Sequence, residues 1–412
     1  MKHLERPKLR GLDCRSVTEG GQQFLQLFNR EQLSEQMLQL PSALGLVLQY
    51  FDGGRTIEQI AVVVRDEHEV PVNPAFVKEL AQELDQVLLL DGPTYAAALK
   101  QALDDYRKPG VRPMSCVGGC YSSDPIKLRE EMRRIFEQPN GAGLPTEPGR
   151  SDDLRAVFVP HIDYRRGGPS FGYGFKELAE RSRADVFVIV ATSHYSPARF
   201  SLTRNHFATP LGIVETDRDY VDALADQYGV DAAYEDELAH RPEHSIELEV
   251  VILQYLLGDR RPFKIVPLLV GPFQDAVDED RSPSALPDVK RMIDALQSVE
   301  KSQGKNVCYL ISGDLAHIGP KFGDEWTITP KIAADNRSTD EKLLTEFSSA
   351  DPNRFSAFIN DENDERRICG FPPGFTTLAA TKPSAGRTLY QDQFVDPKGH
   401  EIVSFASVAF DR

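Results

Sequence analysis

Three of the nine histidines follow directly on short apolar runs. Ala156 to Val159 leads into Pro160-His161-Ile162-Asp163-Tyr164, and Val186 to Ala191 into Thr192-Ser193-His194-Tyr195. Val307 to Ile311 leads into Ser312-Gly313-Asp314-Leu315-Ala316-His317. A fourth segment, Arg367-Ile368-Cys369-Gly370-Phe371-Pro372-Pro373-Gly374, adds a cysteine and reads as a loop after a helical stretch. Imidazole nitrogens suit iron, copper, nickel and zinc, and a thiolate shifts the preference toward softer or borderline ions. One histidine after a strand is ordinarily a hydrogen-bonded core or surface residue. Three at strand ends are a different matter, because the carboxyl ends of strands in an α/β sheet converge on one crevice. The spacing therefore predicts a metal or catalytic centre of three imidazoles and one thiol; the competing reading is a set of unrelated capping histidines.

Elements that could carry such a centre are legible downstream of Lys108-Pro109-Gly110, which reads as a linker. Apolar blocks at Ala156–Val159, Val186–Ala191, Phe263–Val270, Val307–Ile311 and Ile402–Phe410 lack alternation, as strands covered on both faces do. Helical segments are expected at Pro125–Phe136, Phe171–Arg181, Asp219–Tyr228 and Ser245–Leu257, giving a βαβ-type α/β domain. Gly167-Gly168-Pro169-Ser170 reads as a turn and helix start, without the lysine or spacing of a phosphate-binding loop. Before the linker the texture differs. Thr56 can cap a helix with Ile57, Ile60, Ala61 and Val64 on one face, and Asn73-Pro74 opens a second. Val87 to Leu90 reads as a short strand and Tyr95 to Tyr106 as a further helix, together a small winged-helix-like domain.

Composition excludes several classes. A formal net charge of −16 argues against a nucleic-acid partner. No apolar run approaches the roughly 20 residues needed to cross a bilayer, so no membrane association is expected. Met1 to Pro7 lacks the apolar core of a signal peptide, which points to the cytoplasm. Five cysteines, with Cys116 and Cys120 the closest pair, do not suggest a disulfide framework; that pair reads as two reduced thiols in a loop.

The blocks "VPHIDYRRGGPSFGYGFKEL", "VATSHYSP", "EHSIELEVVILQYL", "FKIVPLLVG", "ISGDLAHIG" and "ICGFPPG" resemble, in order, those of the Memo family, which includes the AmmeMemoRadiSam system protein B. The resemblance covers residues 113–412. It implies an α/β domain like that of class III extradiol dioxygenases, which use a non-heme Fe(II). Carried over by motif, the metal ligands fall on His161, His194 and Cys369. Asp314 and His317 line the same pocket, with Glu243 and His244 from "PEHSIE" on a further block; these four are the implied catalytic residues. Asp314 would fix a histidine tautomer, and His317 would serve as acid/base group or additional ligand. Three departures stand out. Cys369 occupies the place of the carboxylate expected of a dioxygenase. Asp163 adds a carboxylate beside a proposed ligand, where pairing with Arg165 or Arg166 is the favoured reading. Tyr195 replaces a second histidine.

Residues 38–92, with "LPSALGLVLQYFDGGRTIEQIAVVV" and "FVKELAQELDQVLLLDG", resemble the PqqD-like family of peptide-recognition elements, so residues 1–108 form a PqqD-like domain with an N-terminal extension. Together the resemblances imply a mononuclear metal protein, Fe(II) foremost with copper or zinc as alternatives, oxidising a small or peptide-linked substrate beside a radical-SAM partner. Two other functions stay open: an adaptor with a vestigial pocket, and a zinc hydrolase.

Overall fold

A computed structural model describes residues 2–29, 33–34 and 36–412 of the chain. The chain divides into two compact units, Met1–Lys108 and Pro109–Arg412.

After a short helix at Lys2–Glu5, the first unit forms an antiparallel meander of β1 (Leu12–Glu19), β2 (Gln22–Asn29) and β3 (Leu38–Pro41). Gly20 and Gly21, both at positive φ, make the two-residue turn that joins β1 to β2. Polar residues such as Arg15, Thr18, Gln22 and Gln23 dilute the apolar signal of β1 and β2, which the sequence reading did not anticipate. After a short helix at Gly45–Leu48 come three longer ones: α1 (Ile57–His68), α2 (Pro74–Gln86) and α3 (Pro93–Arg107). Thr56 and Gln59 form a reciprocal capping box on α1, and Asn73 caps α2 through the Phe76 N–H. Ile60, Val64, Val77, Leu80 and Leu84 close the core against Leu27 and Leu40. Val87 to Leu90 is not a strand. These residues form the turn after α2 and contribute a single bridge, Leu9 to Leu90. All four are buried, and a short buried apolar run has the same pattern whether it is a strand or a core-plugging turn.

In the second unit, apart from a small three-stranded sheet of Val111–Arg112, His206–Thr209 and Gly212–Val214, the strands are β4 (Leu154–Val159), β5 (Val186–Thr192), β6 (Phe200–Leu202), β7 (Lys264–Val270), β8 (Val307–Ser312), β9 (His317–Ile318), β10 (Ala385–Val395) and β11 (Ile402–Asp411). They form one mixed sheet in the order β9-β11-β4-β8-β5-β7-β6, with β10 paired to β11. The central four, β4-β8-β5-β7, are parallel. Helices α4 (Pro125–Glu137), α5 (Tyr164–Arg181) and α7 (His244–Leu257) belong to one face's core with Val157, Val159, Phe187, Ile189 and Leu310. The other face packs Phe158, Val188, Val190 and Ile311 against α6 (Arg218–Tyr228), α8 (Pro287–Gln303) and α10 (Phe371–Thr381), with α9 (Pro330–Ser348) beyond. A sheet covered on both sides is what unalternated apolar strands require.

Two boundaries differ from the sequence reading. Helix α5 begins at Tyr164, because the Asp163 carboxylate caps it by accepting from the Arg165 and Arg166 N–H groups at 3.0 and 3.3 Å. Gly167-Gly168-Pro169-Ser170 thus lies inside the helix rather than at a turn. Its glycines serve close packing: a Cβ on Gly167 would lie 2.5 Å from Ile162 Cγ2. Likewise Phe371 to Gly374 opens α10 instead of continuing a loop, with prolines in the first turn, where no N–H is needed.

Gly174 brings α5 down onto the sheet, since a Cβ there would meet Val159 Cγ1 at 2.4 Å and Ser407 Cβ at 3.3 Å. In an exposed helix Gly→Ala stabilises by up to about 1 kcal/mol. Here Gly174→Ala is expected to cost about 1–3 kcal/mol in urea unfolding, because Val159 is β-branched and cannot swing away. Unchanged or increased stability would show that α5 does not press on β4.

Candidate metal centre

The strand order β4-β8-β5 places Val159, Ser312 and Thr192 side by side at one edge, in register through Val159–Ser312 and Ala191–Ser312 pairs. His161 stands two residues beyond β4 and His194 two beyond β5. Cys369 reaches this edge from the turn before α10. Ligand atoms of His161, His194 and Cys369 lie within 4.8 Å of one another, and two overlapping groups, His194/Glu243/His244 and Asp314/His317/Cys369, meet the same limit. His161 is buried, whereas His194 and His244 are more open, with ring centroids 4.7 Å apart in a stack. His161 meets both edge-on, at 5.0 and 5.2 Å.

Cys369 is positioned by backbone. Its carbonyl accepts from Thr192 Oγ1 at 2.8 Å, and its sulfur accepts from the Asp314 N–H at 3.2 Å. Two glycines make the approach possible, because a Cβ on Gly313 would fall 2.4 Å from the Gly370 Cα, and one on Gly370 would fall 2.8 Å from the Asp314 carbonyl oxygen. Cys369 Sγ then stands 3.3 Å from His161 Nε2. Sulfur and nitrogen sharing a tetrahedral ion at ordinary bond lengths would be about 3.6 Å apart, so the pair needs only a small adjustment.

Hydrogen bonds aim the imidazoles. Ser312 Oγ donates to the Ser245 carbonyl at 2.6 Å and so accepts from His161 Nδ1 at 3.2 Å, which leaves Nε2 with its lone pair toward Cys369. Glu243 Oε1 accepts from His194 Nδ1 at 2.9 Å, while Oε2 takes the His194 N–H at 2.7 Å. The same carboxylate caps α7 through the His244 and Ser245 N–H groups. His317 Nδ1 faces the Leu315 and Arg367 carbonyls at 3.1 and 3.2 Å, so it must carry the proton. Asp314 differs from the expectation: its Oδ1 accepts from the His161 and Ile162 N–H groups, and Oδ2 is 3.8 Å from His161 Nε2, beyond hydrogen-bond reach. Asp314 holds backbone, and the tautomers are set by Ser312 and Glu243. Asp163 pairs with Arg166 at 2.5 Å, as favoured, and belongs to none of the three groups among the described residues.

Burial is the largest influence on the titrating groups of the cluster. Burial, followed by the neighbouring His194 and His244 rings, holds His161 well below the ordinary histidine value. Burial likewise lowers His317 and raises Asp314. Cys369 is pushed well above the usual thiol value by burial and then by Asp314, so its thiolate needs a nearby cation. Burial opposes ionisation of Glu243, but His194 and His244 outweigh it and keep the carboxyl well below its usual range. Burial also opposes the charged form of His244, yet the bond to Glu243 raises it overall.

Several supporting residues escaped the sequence reading. Arg112, fully buried, donates to the carbonyls of His240 (2.5 Å) and Glu243 (2.6 Å) and pairs with Glu247. Glu249 Oε1 lies 3.0 Å from Ser312 Oγ, and burial raises its carboxyl well above the ordinary value. Three glutamates in the otherwise apolar segment Glu243-His244-Ser245-Ile246-Glu247-Leu248-Glu249 were the available signal, because charges on a helix buried all round must be paired or neutral.

A family model described as Memo-like protein matches residues 112–407. The chain belongs to the Memo family. A MEMO1 family protein of Aquifex aeolicus is 24% identical over 386 residues, covering 92% of this chain and 93% of its own length. That alignment is longer than Pro109–Arg412, so it extends into the first unit. A Methanopyrus kandleri member is 26% identical over 310 residues, 73% of this chain and 99% of its own. One from Methanococcoides burtonii is 32% identical over 214 residues, covering 51% and 70%. The Memo match spans the three strand-end segments and the turn before α10 that form the cluster.

Removing Arg112 would leave the buried Glu247 carboxylate without its counter-charge. Arg112→Met is expected to cost about 3–5 kcal/mol in chemical denaturation, and the double variant Arg112→Met/Glu247→Leu to recover part of it. Equal losses in single and double variants would contradict the pairing.

Proposed function

We propose that this Memo family chain holds one transition-metal ion between His161, His194 and Cys369, and that it oxidises a small or peptide-linked substrate. Fe(II) is the first candidate and copper the second. The convergence of two imidazole nitrogens and a thiol sulfur within 4.8 Å carries this reading. When bound, the ion would supply a redox-active Lewis acid with positions open to substrate and O2. His317, neutral and with Nε2 free of its carbonyl partners, would move protons. Glu243 would keep His194 and His244 in place, and the more open His194 side is where substrate would enter. An extradiol-dioxygenase-like ancestry of the domain is compatible with the parallel strand-end site.

Cys369 also favours a second reading. Two histidines and a cysteine can hold zinc with an open position, and in the His161/His194/Cys369 group a thiol stands where an iron triad has a carboxylate. For the first unit we propose a PqqD-like, winged-helix peptide-recognition element of a cytoplasmic AmmeMemoRadiSam-type protein, with a radical-SAM enzyme as partner. Its three-stranded meander followed by three helices supports that reading. No helix of the described residues is long and apolar enough to cross a membrane.

Anaerobic purification followed by elemental analysis tests the assignment. One equivalent of iron or copper supports oxidation, one of zinc supports hydrolysis, and none supports an adaptor with a vestigial pocket. His161→Ala and Cys369→Ser are each expected to weaken metal binding at least about tenfold. Unchanged metal content in both variants would overturn the ligand assignment.

A further inference from the structure

The segment before α4 carries chemistry that the metal centre leaves unused. Cys116 and Cys120 flank a turn closed by the Cys120 N–H to the Cys116 carbonyl at 2.9 Å. Both are free and partly buried. Their surroundings differ. Cys116 is tied inward: its N–H donates to Glu247 Oε1 at 2.9 Å, and its sulfur is 3.5 Å from Ser115 Oγ. Cys120 lines a cavity of about 540 Å³, which also exposes Arg134 and Arg165. Glu131 is in the same wall, with its carboxylate engaged by the Ser122 N–H at 2.9 Å.

This asymmetry separates the two sulfurs chemically. The hydrogen bond from Cys116, helped by His244 and opposed by burial, brings Cys120 down to about 7. The same bond, then burial and Glu247, push Cys116 far up. Of the two, Cys120 is the thiol favoured to ionise, and it is the one that lines the cavity. That turn draws the two residues together, and closing a disulfide would shift their Cβ atoms to about 3.5–4.5 Å apart. Gly118, at φ 84°, and Gly119 lie between the cysteines and can absorb that shift.

We propose that Cys116 and Cys120 form a thiol–disulfide exchange site for disulfides of small anionic thiols. Cys120 thiolate attacks one sulfur of the incoming disulfide, forming a Cys120 mixed disulfide and releasing one thiolate. Cys116 then attacks the Cys120 sulfur, its proton leaving with the second released thiol. The net change is protein dithiol plus disulfide giving protein disulfide plus two thiols, with the two electrons passing to the small molecule. Arg134 and Arg165 would bind the carboxylates of that molecule. The cavity volume is in the range that accommodates a small-molecule ligand.

The test equilibrates the full chain with mixtures of reduced and oxidised glutathione, traps free thiols by alkylation, and maps peptides by mass spectrometry. A Cys116–Cys120 disulfide is expected to form, with Cys116→Ser accumulating one glutathione on Cys120 and Cys120→Ser leaving Cys116 unreacted. Arg134→Ala/Arg165→Ala should slow exchange with oxidised glutathione about tenfold while leaving the rate with neutral hydroxyethyl disulfide unchanged. A wild-type chain that stays dithiol in every mixture would overturn the proposal, as would a Cys120→Ser variant that exchanges at the wild-type rate. Equal slowing with both disulfides would overturn the anionic preference. Metal content measured on the same samples keeps this outcome separate from the fate of the metal assignment.

Discussion

The Glu243 carboxylate is the interaction on which the rest of the site depends. One buried anion accepts from the His194 N–H, the His194 ring and the first N–H groups of α7. It thereby joins the end of β5 to the start of the helix that carries His244, and sets the tautomer of a proposed ligand. Burying such a charge without partners would be prohibitive. Here two imidazoles and a helix N-terminus compensate it, and Arg112 holds the same residue through its carbonyl. The Glu243 carboxylate is thus engaged in positioning His194 and the start of α7.

Topology supplies the other half. Three parallel strands in the order β4-β8-β5 end level with one another, so residues more than 150 positions apart in the chain meet at one edge. Gly313 and Gly370 then let two backbones approach closely enough for the Asp314 N–H to grip the Cys369 sulfur. The resulting cluster is awkward without a cation. Its imidazoles are crowded, and the buried thiol resists losing its proton. A metal ion would relieve both conditions at once, by accepting nitrogen lone pairs and stabilising the thiolate.

Much of this was legible in the sequence, for identifiable reasons. Strands buried on both faces leave unbroken apolar runs, so β4, β5, β7, β8 and β11 could be found with their strand-end motifs. His161, His194 and Cys369 followed from those motifs and from the resemblance they carry. Other features had weaker signatures. Strands β1, β2 and β10 are half polar, and β9 is two residues long. Helix α5 starts early because of one side-chain cap, against the turn signal of Gly167-Gly168-Pro169. Asp314 serves backbone instead of an imidazole, a distinction that depends on where one oxygen points. Arg112 lies 135 residues from Glu247, so no local pattern could pair them.

The account's central claim is a shared ion bound by sulfur as well as nitrogen. Metal-edge X-ray absorption on the anaerobically purified full chain reads those bonds directly. The predicted spectrum has one sulfur scatterer at about 2.3 Å together with the outer-shell pattern of imidazole. A first shell of light atoms alone, with no sulfur contribution, would contradict it.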